Sequence, residues 1–283
     1  MNDGGNMKLI FFDIDGTLVE RGKIPDSAVK AIQKAQENGH LCLVNTGRTA
    51  CLVTGWLPEL VPFDGYLCGC GTHILFRGKV ILHKTFTREE ALDILEGLKK
   101  YRIDAILEGA ENDYHDDPDR MYTETFRRYI AKCSPEKYMP RDLAGKGWES
   151  YEQAPGRFDK FYCFADDLDA VKKFVGERAD YLSLIDREKG YYEIVPKGFS
   201  KASGMDFLIE ALNASGEYKQ KITRENTVAI GDSGNDIAML SHAGIAIAMG
   251  NSTKEVLDMA DFVTGSVNED GIATALKWLG VCD

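Results

Sequence analysis

The sequence predicts an α/β fold, in which a parallel sheet is covered by helices and interrupted by a separate α+β domain. Two observations support this prediction. Short apolar runs alternate with segments of helical spacing in the first and last thirds of the chain, which is the pattern of a helix-covered parallel sheet. The middle third instead mixes aromatic and charged residues. Segments 1–83 and 192–283 are therefore expected to form one core domain, and 84–191 an inserted domain.

The first third contains a predicted strand–helix–strand unit. The run KLIFF at 8–12 predicts a strand that is buried on both faces. The segment IPDSAVKAIQKAQENGH predicts a helix that Asp26 or Ser27 caps and Gly39 terminates. The run LCLVNTGR then predicts a second strand, which ends in polar residues.

The last third repeats this order. SKASGMDFLIEALN predicts a helix with Ser200 as its cap, and NTVAIGDSGND predicts a strand that runs into a polar loop. The segments after it predict a short helix that ends at Gly244, strands in IAIAMGN and ADFVTGS, and a closing helix in GIATALKWLG. The middle third contains two predicted helices, TREEALDILEGLKKY and DDLDAVKKFVGERA. The second helix lies between two strand-like segments, DKFYCFA and YLSLID. This mixture predicts the inserted α+β domain.

Composition narrows the classes of partner. The formal net charge of −11 gives an acidic surface that repels phosphate backbones and anionic lipid, so neither nucleic acid nor membrane is an expected partner. No run approaches the ~20 apolar residues of a membrane span, and MNDGGN lacks the features of a signal peptide, so a cytoplasmic protein is expected. Seven cysteines, an odd number, argue against a disulfide framework, and Cys68 and Cys70 are expected to be buried thiols.

Polar residues follow three of the predicted strands, in DIDGT (13–17), NTGR (45–48) and GDSGND (231–236). Ligands of a parallel sheet bind outside the carboxyl ends of its strands. If the three strands are neighbours, four carboxylates converge there and need a cation to stay ionised. Their hard oxygen ligands favour Mg²⁺, which typically also contacts a substrate phosphate.

Two further features predict a phosphate site. Lys201 lies in the first turn of the helix that Ser200 caps, where the helix dipole opposes a cation unless an anion is bound as well. Thr46 and Gly47 precede another predicted helix, so they can offer a hydroxyl group and backbone amides to the same anion.

Together these motifs resemble those of the haloacid dehalogenase (HAD) superfamily, in its Cof-like sugar-phosphatase branch. The matching segments are DIDGT, NTGR, VPKGFSKASG (195–204), GDSGND and AIAMGNSTKEVLDMADFVT. The resemblance implies a Rossmann-like core and gives the inserted domain the position of a C2-type cap. The branch often has an Asn-Gly-Ala turn after the second motif, where this chain has LCGCGTHI.

The resemblance also implies residue roles. Asp13 would be the nucleophile that forms an aspartyl-phosphate, and Asp15 would be the general acid and base. Mg²⁺ would bind the Asp13 carboxylate, the Asp15 backbone carbonyl and Asp232. Around these, the remaining motif residues would bind the phosphoryl oxygens (Thr46, Gly47, Lys201), support the metal and phosphate (Asn235, Asp236) or stand at the mouth of the site (Arg48).

The implied function is Mg²⁺-dependent hydrolysis of a small phosphorylated metabolite, a sugar phosphate above all. The inserted domain would close as a lid, and residues 108–130 would select the substrate. A phosphomutase that needs a bisphosphorylated sugar as activator, and a regulatory protein without catalysis, stay open alternatives. The intact acids and Lys201 argue against the second. The sequence leaves open the physiological substrate, the oligomeric state and whether four residues touch the site: Cys68, Cys70, His73 and His115.

Overall fold

The computed structural model describes residues 7–111, 113–115, 121–132, 149–150, 157–186 and 191–282. The chain divides into two compact units. The first consists of Met1–Arg48, Val53–His83 and Ser200–Asp283, and the second of Thr49–Leu52 and Lys84–Phe199. Each unit has its own sheet and its own hydrophobic core.

The first unit contains an eight-stranded sheet, which confirms the predicted α/β class. With strands numbered along the whole chain, it holds β1 (Leu9–Phe12), β2 (Leu41–Asn45), β3 (Gly65–Cys68), β4 (His73–Phe76), β5 (Lys79–His83), β12 (Thr227–Gly231), β13 (Ile245–Ala248) and β14 (Phe262–Val263). The order is β14-β13-β12-β1-β2-β3-β4-β5. All pairs from β14 to β3 are parallel, and β4 and β5 add an antiparallel edge.

The strand β1 lies at the centre of this sheet. All four of its residues are fully buried, as expected of a strand covered by helices on both faces. Phe12 is opposite Val44 of β2 on one side and Ile230 of β12 on the other. The three strands that precede the polar motifs are therefore neighbours.

The helices of the first unit are α1 (Asp26–Glu37), α2 (Leu57–Leu60), α6 (Lys201–Ser215), α7 (Ile237–His242), α8 (Lys254–Met259) and α9 (Gly271–Trp278), again numbered along the whole chain. The predicted side-chain cap of α1 is wrong. Pro25 occupies the cap position, and the Ser27 hydroxyl instead donates to Asp270 Oδ1 at 2.5 Å. The helix expected after NTGR is replaced by a 3₁₀ turn at Ala50–Leu52 and the four-residue α2.

Within the described residues, the second unit contains a six-stranded sheet and three helices. The strands are β6 (Asp104–Glu108), β7 (Asp113–His115), β8 (Glu149–Ser150), β9 (Lys160–Phe164), β10 (Leu182–Asp186) and β11 (Tyr191–Pro196), in the order β10-β11-β9-β6-β7-β8. The helices are α3 (Arg88–Tyr101), α4 (Glu124–Lys132) and α5 (Leu168–Gly176). Every strand pair except β7 with β8 is antiparallel.

The return to the first unit differs from the predicted boundary at 192. The strand β11 forms antiparallel ladders with both β10 and β9, and these hydrogen bonds hold residues 191–196 in the second sheet. The first unit therefore resumes at Ser200. In the predicted selectivity region 108–130, residues 112 and 116–120 and the side chains of His115 and Ile130 lie outside the described residues.

A buried ion network crosses the second sheet. Lys160 and Glu108 are directly opposite each other in β9 and β6, and their side chains form an ion pair. Lys160 Nζ also lies 2.8 Å from Glu193 Oε1, and neither of these two side chains is exposed. The second unit thus encloses one lysine between two carboxylates.

Among the described residues, no helix is long and apolar enough to cross a membrane.

Candidate active site

The three polar motifs meet at one edge of the eight-stranded sheet. Asp13 directly follows β1, Thr46 follows β2, and Asp232 follows β12, and these strands are adjacent. The ladder continues past the end of β1, because the Asp13 amide donates to the Ile230 carbonyl at 3.0 Å. Ligands of open α/β sheets bind outside this edge, so the fold places the motifs where such a ligand would lie.

Gly16 and Thr17 determine how closely Asp232 approaches the first loop. Gly16 has φ +81°, and a Cβ atom at this position would lie 2.4 Å from Asp232 Oδ2. The Thr17 hydroxyl donates to Asp232 Oδ1 at 3.2 Å. The glycine of DIDGT therefore leaves room for the Asp232 carboxylate. No role was predicted for Thr17, although it belongs to the DIDGT motif.

Lys201 occupies the first position of α6 and is 1% exposed. A capping box starts this helix: Ser203 N donates to Ser200 Oγ at 3.1 Å, and Ser200 N donates to Ser203 Oγ at 2.9 Å. The Asn45 side-chain amide donates to the Lys201 carbonyl at 2.9 Å and ties the helix to the end of β2. No role was predicted for Asn45, although it begins the NTGR motif and directly precedes Thr46.

The lysine bridges two carboxylates. Its Nζ lies 2.6 Å from Asp13 Oδ1 and 2.5 Å from Asp236 Oδ1. The other oxygen of Asp236 accepts from the amides of Asp232 and Ser233, at 2.9 and 3.1 Å. Asp236 is fully buried, so it fixes both the lysine and the loop that carries Asp232.

Asp15 has different surroundings from Asp13, although one residue separates them. The Asp15 side chain is 59% exposed, whereas that of Asp13 is 5% exposed. Arg48 binds the Asp15 carboxylate through two bonds, from Nε at 2.7 Å and from a terminal nitrogen at 2.6 Å. The NTGR motif thus orients the second acid of DIDGT.

The remaining predicted residues line the same loops. Thr46 and Gly47 are buried, and the Thr46 hydroxyl accepts from the Arg48 amide at 3.1 Å. Asn235 Oδ1 accepts from the Ser233 hydroxyl at 2.6 Å, within the last motif. Cys70 is buried, and its backbone amide donates to the Thr46 carbonyl at 3.0 Å. The segment LCGCGTHI therefore contacts the second motif through its backbone.

Burial and like charge perturb these acids. Burial raises the pKa of Asp13 to about 7, with a further increase from the charge of Asp236 and an opposing effect of Lys201. Burial likewise raises the pKa of Asp232 to about 6, again with Asp236 as the second cause. Burial alone would lower the pKa of Lys201, but the carboxylates of Asp13 and Asp236 raise it well above its ordinary value.

The acidic centre fits a divalent cation. Asp13, Asp232 and Asp236 each offer a carboxylate oxygen, and these oxygens lie within 4.8 Å of one another. A donor set of carboxylate oxygens suits Mg²⁺. A doubly charged ion beside Asp13 and Asp232 would favour their ionised forms and so offset the effect of burial on their pKa values. The Asp15 side chain is not part of this group and is turned toward Arg48.

Comparison with known proteins agrees with this geometry. A family model described as haloacid dehalogenase-like hydrolase matches residues 10–276. The chain belongs to this HAD family. Its motif-bearing strands therefore form a HAD core, the matching family is of the Cof-like type, and its structural neighbours include HAD phosphatases.

Three relatives of this HAD protein illustrate the range of the family. YkrA of Bacillus subtilis is 28% identical over 275 residues, which cover 97% of this chain and 98% of YkrA. Pyridoxal phosphate phosphatase YbhA of Escherichia coli is 26% identical over 272 residues, with 94% and 96% coverage. The solved structure of a HAD subclass IIB sugar phosphatase is 26% identical, has a TM-score of 0.75, and covers 97% of this chain and all of its own. The HAD protein described here is accordingly a phosphoric monoester hydrolase.

Proposed function

We propose that this phosphatase requires Mg²⁺, acts on a small phosphorylated metabolite, and transfers the phosphoryl group to Asp13 before water releases it. The observation that carries the proposal is the buried Lys201, which holds Asp13 beside Asp232 and Asp236. Uncatalysed hydrolysis of phosphate monoesters is extremely slow, so positioning, charge neutralisation and a two-step path are all needed.

Asp13 suits the role of the nucleophile. Lys201 holds Asp13 Oδ1 at 2.6 Å, which fixes the orientation of the carboxylate and leaves its second oxygen to attack phosphorus. An anionic nucleophile is repelled by an anionic ester, and the Lys201 charge reduces this repulsion. Attack would form the aspartyl-phosphate and break the bond between phosphorus and the ester oxygen of the substrate.

Asp15 suits the role of the proton donor and acceptor. Its exposed carboxyl group, oriented by Arg48, would protonate the departing ester oxygen in the first step. In the second step the resulting carboxylate would take a proton from the water that attacks the aspartyl-phosphate. Free phosphate and the original Asp13 carboxylate would result, and Asp15 would again be protonated.

The cation and the phosphate would be bound by the surrounding loops. Mg²⁺ would be held by the Asp13 carboxylate, the Asp15 carbonyl and Asp232, where its charge would neutralise the phosphoryl oxygens. Thr46, Gly47 and Lys201 would bind those oxygens, with Asn235 and Asp236 as support. The lid movement of the inserted domain and the cytoplasmic location stay predictions.

The substrate class is inferred from the relatives. YbhA is named for pyridoxal phosphate, and the subclass IIB structure for a sugar phosphate, so both proteins are named for small phosphate esters. A small phosphorylated metabolite, with a sugar phosphate as the first choice, is therefore the proposed substrate of this chain.

Release of inorganic phosphate tests the proposal. Sugar phosphates, nucleotides and pyridoxal phosphate would be assayed with Mg²⁺ and with chelator. We expect turnover of a few substrates that chelator abolishes and Mg²⁺ restores. Turnover that persists in chelator would refute the metal requirement. Turnover that appears only as phosphoryl transfer with a bisphosphorylated sugar would indicate a phosphomutase.

The variant Asp15→Asn tests the division of roles between the two acids. The predicted metal contact of Asp15 uses its backbone carbonyl, so the substitution should lower turnover by about 10²–10⁴-fold while Mg²⁺ affinity changes little. Both quantities would be measured on the same protein, turnover by phosphate release and affinity by calorimetry. An equal loss of both would contradict the assignment.

A further inference from the structure

Two histidines face each other on neighbouring strands of the first unit, and neither belongs to the acidic centre. His73 begins β4 and His83 ends β5, and the two residues are directly opposite in this antiparallel pair. Their ring centroids are 4.0 Å apart, and the ring planes are inclined by 13°. Residues opposite each other in a sheet project from the same face, so both imidazoles lie side by side at the edge of the sheet.

His73 is buried without hydrogen bonds from its ring. The side chain is 7% exposed, and neither Nδ1 nor Nε2 has a hydrogen-bond partner among the described residues. A neutral imidazole offers one donor and one acceptor, and leaving both unmet in the interior is unfavourable. Burial, followed by the effect of His83, lowers the pKa of His73 to about 4, so its ring is neutral at pH 7 and has a lone pair for a ligand.

His83 supplies a second nitrogen and a route for entry. Its side chain is exposed, whereas that of His73 is buried, so an ion could reach the pair from solvent. A ring nitrogen of each histidine lies within 4.8 Å of one on the other. Two metal–nitrogen bonds of about 2.0–2.1 Å span up to about 4 Å, so a modest rotation of the exposed ring would let both nitrogens contact one ion.

We propose that His73 and His83 bind a first-row transition-metal ion of the Zn²⁺ type, with water in the remaining coordination positions. Imidazole nitrogen suits Zn²⁺, Ni²⁺ and Cu²⁺, whereas Mg²⁺ prefers oxygen ligands. The pair shares no residue with the acidic centre, so the site is chemically distinct from the proposed Mg²⁺ site. The ion would give one ring nitrogen of His73 a partner that the described residues do not provide.

The test follows the imidazole nitrogens of the full chain by NMR. Protein labelled with ¹⁵N-histidine would be saturated with Mg²⁺, so that the acidic centre is occupied, and then titrated with Zn²⁺. The chain has five histidines. We expect the signals of His73 and His83 to change together while the other three keep their positions. Signals of both residues that stay unchanged at excess Zn²⁺ would overturn the proposal.

Two variants separate chelation from simple binding to a surface histidine. His83→Gln removes the exposed ligand, and loss of one of two linked donors should weaken Zn²⁺ binding by about 10²-fold. His242→Gln is the matched control, because His242 is a partly exposed histidine that contacts Asp206 at 2.7 Å. It should leave Zn²⁺ affinity unchanged. Equal affinity of His83→Gln and the wild type would refute the site, whatever the phosphatase assay shows.

Discussion

Asp13 and Asp15 show how strongly immediate surroundings determine the chemistry of a side chain. Asp13 is buried against a lysine, and Asp15 is exposed against an arginine. The buried ammonium group of Lys201 keeps one carboxylate fixed, whereas the guanidinium group of Arg48 orients the other at the surface. This difference in surroundings supports the proposed roles of Asp13 as nucleophile and Asp15 as proton donor.

The variant Asp13→Asn is expected to lower turnover by at least about 10⁴-fold, since an amide cannot attack the phosphorus atom. The fold should persist, because asparagine has nearly the same shape and Lys201 keeps its contact with Asp236. Phosphate release and thermal unfolding would be measured together. Asp258→Asn, at an exposed ion pair with Lys254, is the control and should keep full activity. Activity near the wild-type level in Asp13→Asn would exclude this residue as the nucleophile.

Proton competition should weaken Mg²⁺ binding at low pH. The metal needs ionised carboxylates, and burial raises the pKa values of Asp13 and Asp232 to about 7 and about 6. As pH falls from 8 to 5.5, these groups bind protons and the Mg²⁺ affinity should fall. Calorimetry at pH 6 in two buffers of different ionisation enthalpy would count the protons released on binding. A pH-independent affinity with no proton release would contradict the raised pKa values of Asp13 and Asp232.

The motif residues could be predicted from the sequence, but their partners could not. Asp13 and Lys201 are separated by 188 positions, and no local pattern predicts that their side chains meet. Lys201 was predicted to bind the phosphoryl oxygens, and the structure pairs it with the carboxylates of Asp13 and Asp236. Thr17 and Asn45 gained roles only once the strands were placed side by side.

Among the secondary-structure elements, α6 determines where the lysine lies. Gly71 has φ +86°, and a Cβ there would lie 2.7 Å from the Ser200 carbonyl oxygen. A Cβ on Gly204 would likewise lie 3.0 Å from Gly71 Cα. These two glycines let the first turn of the helix lie directly against the loop after β3, which brings Lys201 to the sheet edge.

Removing the cap of this helix should affect both stability and catalysis. Ser200→Ala loses the side-chain oxygen that accepts from Ser203 N, at a cost of about 0.5–2 kcal/mol. Turnover should also fall, because Lys201 is the next residue. Thr87→Ala is the matched control, since Thr87 caps α3 of the second unit with the same type of capping box. It should lose similar stability, measured by urea denaturation, with little change in turnover. Equal effects on turnover would contradict a positioning role of the cap.

Local sequence patterns predicted some secondary-structure elements better than others. The buried strands were predictable because their apolar runs are continuous and end in polar loops. The cap of α1 was not, because the Ser27 hydroxyl bonds to Asp270, a residue 243 positions away. A cap that depends on such a tertiary contact leaves no signal in the surrounding sequence.

On the scale of the whole molecule, each unit encloses one buried lysine between two carboxylates. Lys201 lies between Asp13 and Asp236, and Lys160 lies between Glu108 and Glu193. The two clusters differ in their location. The first lies at the sheet edge where the motifs converge, and the second crosses a β-sheet.

The substitutions Lys201→Met and Lys160→Met should show that only the cluster around Lys201 binds Mg²⁺. Each leaves buried carboxylates without their counter-charge and should cost about 3–5 kcal/mol of unfolding free energy. Mg²⁺ should restore part of the loss in Lys201→Met, because the ion would supply positive charge to the same acids, but not in Lys160→Met. Urea denaturation with Mg²⁺ and with chelator would measure both. The same Mg²⁺ response in the two variants would contradict a metal site confined to the first unit.

The central position of β1 has a consequence for synthesis on the ribosome. Thr227, where β12 begins, lies 215 positions after Phe12, where β1 ends. At about 5–20 residues per second, roughly 10–40 s pass between the synthesis of these two neighbours. One edge of β1 stays unpaired during that interval and is open to association with other chains. A nascent chain stopped before residue 232 would contain Asp13 and the inserted segment, yet lack Asp232 and Asp236, which complete the acidic centre.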